Sequence, residues 1–188
     1  WLQKEGIDGF RCDVAGNVPA DFWQKTIPEL RAVKNIFMLA EAWEPELLKD
    51  NLFDMAYAWD GHHTSNKIAQ GKENVTAFDT YITGKNKKYE ANDILMNFVD
   101  NHDENSWNGT EMERMGDARF AMAVLAATIE GMPLVYNGQE TSLDRRLDFF
   151  EKDAIDWTKM DLVSFYDKLW RRTQRFRPNL ATGKSRSR

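Results

Sequence analysis

Short apolar runs recur along this chain, and most are followed by a stretch with helical periodicity. Residues 6–14 (GIDGFRCDV), 36–43 (IFMLAEAW), 53–59 (FDMAYAW), 93–103 (DILMNFVDNHD) and 132–138 (MPLVYNG) read as buried strands. Between them, residues 19–34 predict a helix with Phe22, Trp23, Ile27, Leu30 and Val33 on its apolar side. Pro19 suits the first turn of that helix, and Pro28 predicts a kink or a split. Residues 45–51 are too few for a secure helix. Residues 63–71 and 74–89 are helical candidates. Residues 117–131 form the clearest helix, rich in Ala and closed by Gly131. Residues 162–176 predict a last amphipathic helix that stops before Pro178, and the polar residues 179–188 read as a frayed tail.

Short strands alternating with helices imply parallel pairing through right-handed crossovers. A doubly wound open sheet and a (β/α) barrel both fit that order. The polar residues separate them. Arg11, Asp13, Glu41, Asn101, His102 and Asp103 all fall at the C-terminal ends of predicted strands, where a barrel keeps its active site. A doubly wound sheet favours a Gly-rich phosphate turn, and the chain has no G-x-G-x-x-G. The fold class read here is α/β, a partial (β/α)8 barrel.

Composition narrows the function classes. The 188 residues carry a net charge of -5, which gives no general electrostatic reason to bind nucleic acid. No apolar run approaches the ~18 residues of a membrane span, so no membrane insertion is expected. A single cysteine, Cys12, excludes an internal disulfide and a Cys-based zinc site. Aromatic residues reach 12%, with seven Trp, which suits either a large core or flat ligands stacked on rings.

Strand alternation puts Arg11 and Asp13 on one face and Phe10 with Cys12 on the other. Cys12 therefore reads as a small packing residue under the helices. Arg11 with Asp13 alone would read as a satisfied ion pair. Glu41 and Asp103 on two further strand ends weaken that reading, because packing has no use for three such carboxylates. Carboxylates with opposed protonation needs serve glycoside hydrolysis, one as an ionised nucleophile or base and one as a protonated acid. Arg11 would keep Asp13 ionised. Glu41, between Ala40 and Ala42, is expected in an apolar pocket that keeps its proton available. Asp103 would hydrogen-bond a sugar diol.

The segments GFRCDVAGNVP, LAEAWEP and FVDNHDENSW resemble three signature regions of the α-amylase family, glycoside hydrolase family 13, in the family's order. They match the fourth, fifth and seventh barrel strands. MPLVYNGQE resembles the eighth-strand segment, and FYDKLWRRTQRFRPNLATG is similar to the closing helix and the entry to a C-terminal β-domain. The wording around the motifs is similar to Bacteroidetes-type amylases and neopullulanase-like members.

The resemblance implies Asp13 as catalytic nucleophile, Glu41 as general acid/base and Asp103 as transition-state stabiliser. It implies substrate contacts from Arg11 and His102. Trp43 faces the same way as Glu41 and is a candidate sugar-stacking residue. The implied reaction is retaining cleavage of α-glucosidic bonds in α-glucans or maltooligosaccharides, in a periplasmic or extracellular setting. Transglycosylation or isomerisation by the same residues is the alternative within the family, and a non-catalytic glucan-binding role is the alternative outside it. The chemistry needs no cofactor; a structural calcium in the full-length enzyme is a further expectation.

Two departures qualify the match. Gly16 and Asn17 stand where many members have Lys-His or Met-His, a pair that contacts sugar on the leaving-group side and helps bind calcium. The family's third-strand segment, D-x-V-x-N-H, is not in the chain. Residues 1–178 thus read as the C-terminal portion of a catalytic barrel of about 250 residues, with 179–188 leading toward a β-domain. The residues alone are expected to fold poorly and hydrolyse little. His62 and His63 read as part of a loop rather than a metal pair, and Trp107 as loop packing ahead of sugar contact. The basic run 168–177 reads as a solvated helix face.

Overall fold

The computed structural model describes residues 1–176. The predicted stop before Pro178, the tail 179–188 and the boundary at 178 lie outside the described residues. The described residues form five strands, β1 (Gly9–Cys12), β2 (Phe37–Ala40), β3 (Met55–Tyr57), β4 (Ile94–Asn97) and β5 (Met132–Pro133), in one sheet of order β1-β2-β3-β4-β5. Six α-helices accompany them: α1 (Ala20–Val33), α2 (Trp59–Ala69), α3 (Thr76–Lys88), α4 (Glu111–Met115), α5 (Ala118–Thr128) and α6 (Val163–Phe176). Neighbours from β1 to β4 pair in parallel, as short strands joined by helices must.

Two compact units make up the chain. The first comprises Trp1–Gly61 and Thr76–Met96, and the second His62–Val75 with the residues from Asn97 on. In the first, Ile27, Met38, Ala40, Phe53 and Ala56 are sealed from solvent. Trp23 packs edge-to-face on Phe53 at 5.1 Å, and its indole N–H donates to the Ala15 carbonyl at 3.1 Å. This contact ties α1 to the loop that follows β1. Pro28 does not split α1, which runs unbroken through it. Trp23 and Ile27, both buried, anchor the helical turn that carries the lost bond. Pro28 itself is exposed, so water can satisfy the carbonyl one turn earlier. Cys12 is half-buried against this core, and burial pushes its thiol up, which suits the packing role.

In the second unit, Val99, Met115, Ala123 and Tyr166 form the core, with Phe165 and Leu169 of α6 packed against it. A five-residue π-helical turn, Glu104–Asn108, follows the β4 exit and was not expected. Helix α4 was not expected either. It opens on a reciprocal capping box, in which Thr110 accepts from the Glu113 amide and Glu113 accepts from the Thr110 amide.

Candidate active site

The sheet register shows why the first unit gathers polar groups at one end. Arg11 is level with Leu39, and Leu39 with Met55. Two residues further along each strand, Asp13, Glu41 and Tyr57 fall at one level. In a parallel sheet, residues at one level point the same way. The ladder continues past the strand ends: the Glu41 amide donates to Cys12, and the Ala15 amide donates to Glu41, each at 3.0 Å.

Arg11 joins this set. One end of its guanidinium pairs with Asp13, and the other reaches a Glu41 carboxylate oxygen at 2.8 Å. Its Nε donates to the Tyr57 hydroxyl at 3.4 Å. Although burial works the other way, bonds to Tyr57 and Asp13 and the charge of Glu41 leave the guanidinium bound more firmly to its proton than usual. The Glu41 side chain is 12% exposed and the Asp13 side chain 78%. Asp13 thus lies open to a ligand while Glu41 sits behind it. The second Glu41 oxygen accepts from the Val14 amide at 2.8 Å. Val14 has φ 43° and ψ 46°, a left-handed conformation that β-branched residues rarely adopt. That strained turn aims the Val14 N–H at Glu41.

This corrects one expectation. Ala40 and Ala42 are buried, as predicted, but the Glu41 carboxylate is held by a guanidinium and an amide rather than enclosed by apolar groups. Trp43 is 45% exposed; its ring meets Trp59 edge-on at 6.5 Å, and Trp59 stacks on Tyr57 at 5.7 Å. An aromatic shelf therefore leads from Trp43 to the ring beneath Arg11. Gly16 lies against Glu44, since a Cβ there would stand 2.7 Å from the Glu44 carboxylate. Hence the place of the usual Lys or Met is filled by a neighbouring acid.

In the second unit, His102 Nε2 stands 3.5 Å from Asp103 Oδ2, both half-exposed. Behind them lies a buried polar network that sequence reasoning missed. Arg114 of α4 donates to Gly109 O at 2.8 Å, Asn66 Oδ1 at 2.8 Å, Val99 O at 2.9 Å and Asp100 Oδ1 at 2.9 Å. It thereby grips the chain before and after His102–Asp103. Glu104 meets His62 Nε2 at 3.0 Å, and the other His62 ring nitrogen bonds the Phe98 carbonyl at 3.2 Å. Burial would raise the Glu104 carboxyl, but bonds from His62 and Asn108 and the charge of Arg114 hold it below its usual range. His62 is therefore a buried member of α2 rather than a loop residue, stacked on Phe98 at 4.5 Å. Among the described residues no group of three or more His, Cys, Asp or Glu is arranged to hold a metal ion.

Glu111 marks the other edge of this network. Burial pushes its carboxyl up to about 7, although Arg114 and a hydrogen bond from Gln139 favour the anion. A carboxyl raised in the folded state stabilises the fold while protonated, and that contribution is lost as pH rises from its unfolded value toward 7. Glu111→Gln should therefore gain stability relative to the wild type between pH 5 and pH 7, on the order of 2–3 kcal/mol. Thermal melts of both proteins at the two pH values check this; parallel melting curves would contradict it.

The chain matches the family described as "Alpha amylase, catalytic domain" over residues 1–175. It belongs to the α-amylase family. Its sheet and helices are a partial (β/α)8 barrel. Among relatives of this family, it is 27% identical over 166 residues to a maltogenic α-amylase of Bacillus acidopullulyticus, covering 84% of this chain and 28% of that protein. It is 29% identical to neopullulanase 2 of Thermoactinomyces vulgaris, covering 100% of this chain and 33% of that protein. The chain thus spans about a third or less of these relatives' length. Among solved structures, the maltogenic α-amylase AmyB of Thermotoga neapolitana superposes with a TM-score of 0.80 at 29% identity, covering 92% of this chain and 40% of that one. No described helix of this α-amylase family member is long and apolar enough to cross a membrane.

Proposed function

We propose that the chain supplies the reacting residues of a retaining glycoside hydrolase acting on α-glucosidic bonds of starch-like α-glucans or maltooligosaccharides. One observation carries this reading: a single guanidinium, Arg11, bridges Asp13 and Glu41. Two carboxylates held by one planar fork are close together. Retaining enzymes keep theirs roughly 5–5.5 Å apart, whereas inverting enzymes leave room for a water. Asp13, exposed and paired with Arg11, attacks the anomeric carbon and forms a glycosyl ester. Glu41 gives its proton to the leaving oxygen, then takes one from the water that releases the sugar. Asp103 is assigned to stabilising the charged transition state, with His102 contacting sugar hydroxyls. Trp43 offers a flat apolar face for a sugar ring at the end of the aromatic shelf.

The test is product stereochemistry with maltoheptaose. Proton NMR of a fresh reaction, using the protein at its full natural length, should show the α-anomer of the new reducing end before mutarotation. First appearance of the β-anomer would refute the retaining assignment. New linkages without new reducing ends would assign the same residues to transfer or isomerisation.

A further inference from the structure

The second unit carries an exposed aromatic cluster that the chemistry above does not use. Trp107 is 56% exposed, Phe149 37% and Phe150 82%. Their rings touch one another: Trp107 to Phe149 at 5.1 Å, Phe149 to Phe150 at 4.8 Å and Trp107 to Phe150 at 6.1 Å. Phe149 also stacks on the His102 ring at 5.8 Å with planes 29° apart. The sequence alone favoured Trp107 as loop packing; instead its ring faces solvent among two others.

The cluster is built on a fixed base. The Leu147 amide donates to Asn105 Oδ1, and Ser106 Oγ donates to the Leu147 carbonyl, each at 2.8 Å. Asn105 also donates to the Arg145 carbonyl at 3.4 Å. These bonds staple the loop bearing the two Phe residues to the π-helical turn bearing Trp107. Arg145 pairs with Asp153, and its other end donates to Ala154 O at 2.9 Å. The Asp148 amide donates to Asp153 at 3.0 Å. The loop is thereby clasped at its neck, with the aromatic pair at its tip.

Exposed contiguous aromatics have a hydration penalty and mark a binding surface when they are held in place. Flanking charges choose the occupant. Asp148, Glu151 and Lys152 border the pair, all exposed, so the rim repels nucleic acid and anionic lipid but offers hydrogen-bond partners to hydroxyls. A sugar ring has an apolar face and a hydroxyl edge that match rings and rim. The cluster is continuous with His102, the residue assigned to sugar hydroxyls.

From this geometry we propose that Trp107, Phe149 and Phe150 form a stacking platform for α-glucan chain extending beyond the sugar at His102, so that the chain favours long maltooligosaccharides over maltose. The inference rests on the proposed α-glucan chemistry and adds a chain-length determinant to it.

The test uses the protein at its full natural length in an Asp13→Asn background, so that sugar is bound and not consumed. Tryptophan is replaced by 5-fluorotryptophan, and the Trp107 resonance is assigned by its loss in Trp107→Phe. Maltoheptaose should shift that ¹⁹F signal and maltose should not. By calorimetry, Phe150→Ala should weaken maltoheptaose about tenfold and maltose less than twofold. Phe150 is nearly all in solvent, so the variant should melt with the parent. Unchanged maltoheptaose affinity in Phe150→Ala would overturn the platform and leave the glucan reading standing. Binding of neither sugar by the parent would overturn both. If Phe150→Ala instead altered self-association in sedimentation, with affinity unchanged, the cluster would be an interface between copies.

Discussion

Asp13→Asn is expected to lower turnover of maltoheptaose by at least about 10⁴-fold in the protein at its full natural length, while leaving maltoheptaose affinity within a few-fold. The loss corresponds to about 5.4 kcal/mol of transition-state stabilisation. The amide oxygen of Asn can still accept from Arg11, and the side chain is mostly in solvent, so the fold has no reason to change. What disappears is the anion that forms the bond to the anomeric carbon. Binding is measured by calorimetry and turnover by reducing-end release. Turnover within tenfold of the wild type would remove Asp13 from the role of nucleophile. Loss of both binding and thermal stability would show that the pair with Arg11 is structural.

The largest expected effect on stability falls at Arg114. Arg114→Met keeps much of the volume and removes the charge, leaving Asp100 and Glu104 buried beside an apolar chain. Breaking a buried pair from one side costs about 3–5 kcal/mol. The Arg114 and Asp100 side chains are each 5% exposed, so water cannot replace the missing donors. Arg114→Lys should recover only part of the loss, because an ammonium cannot serve acceptors spread over Gly109, Asn66, Val99 and Asp100. Urea denaturation of the three proteins checks the order. A methionine variant within 1 kcal/mol of the wild type would mean that the network contributes little.

These two residues also show what the sequence could and could not disclose. The place of Asp13 beside Arg11 at the end of β1 was legible because strand alternation puts the two on one face. The position of Glu41 at the next strand end was legible by the same local logic, but its partners were not. The Val14 amide and the Arg11 guanidinium reach it across β1 and β2, and only the register brings them there. Arg114 gave no signal at all. It looks like an ordinary helical cation in EMERMG, and its function depends on partners from 5 to 48 positions away. His62 misled for the opposite reason: beside His63 it suggested a loop, whereas burial against Phe98 and Glu104 makes it part of a helix. The Trp107 cluster required knowing that residues 105 and 106 hold residue 147, a long-range fact that no local pattern encodes.

The bridge made by Arg11 has a consequence that can be counted in protons. With every group ionised, Arg11, Asp13 and Glu41 together carry one net negative charge. A single added proton makes the trio neutral. The proposed double displacement starts with one proton on this set, lends it to the leaving group, and takes one back from water. As Glu41 loses its proton, Asp13 loses its charge to the glycosyl ester, so the trio stays neutral in the glycosyl-enzyme as well, with the fixed cation balancing first one carboxylate and then the other. A hydrolytic cycle that begins and ends at neutrality can be repeated beside a sugar without drawing counterions into the site.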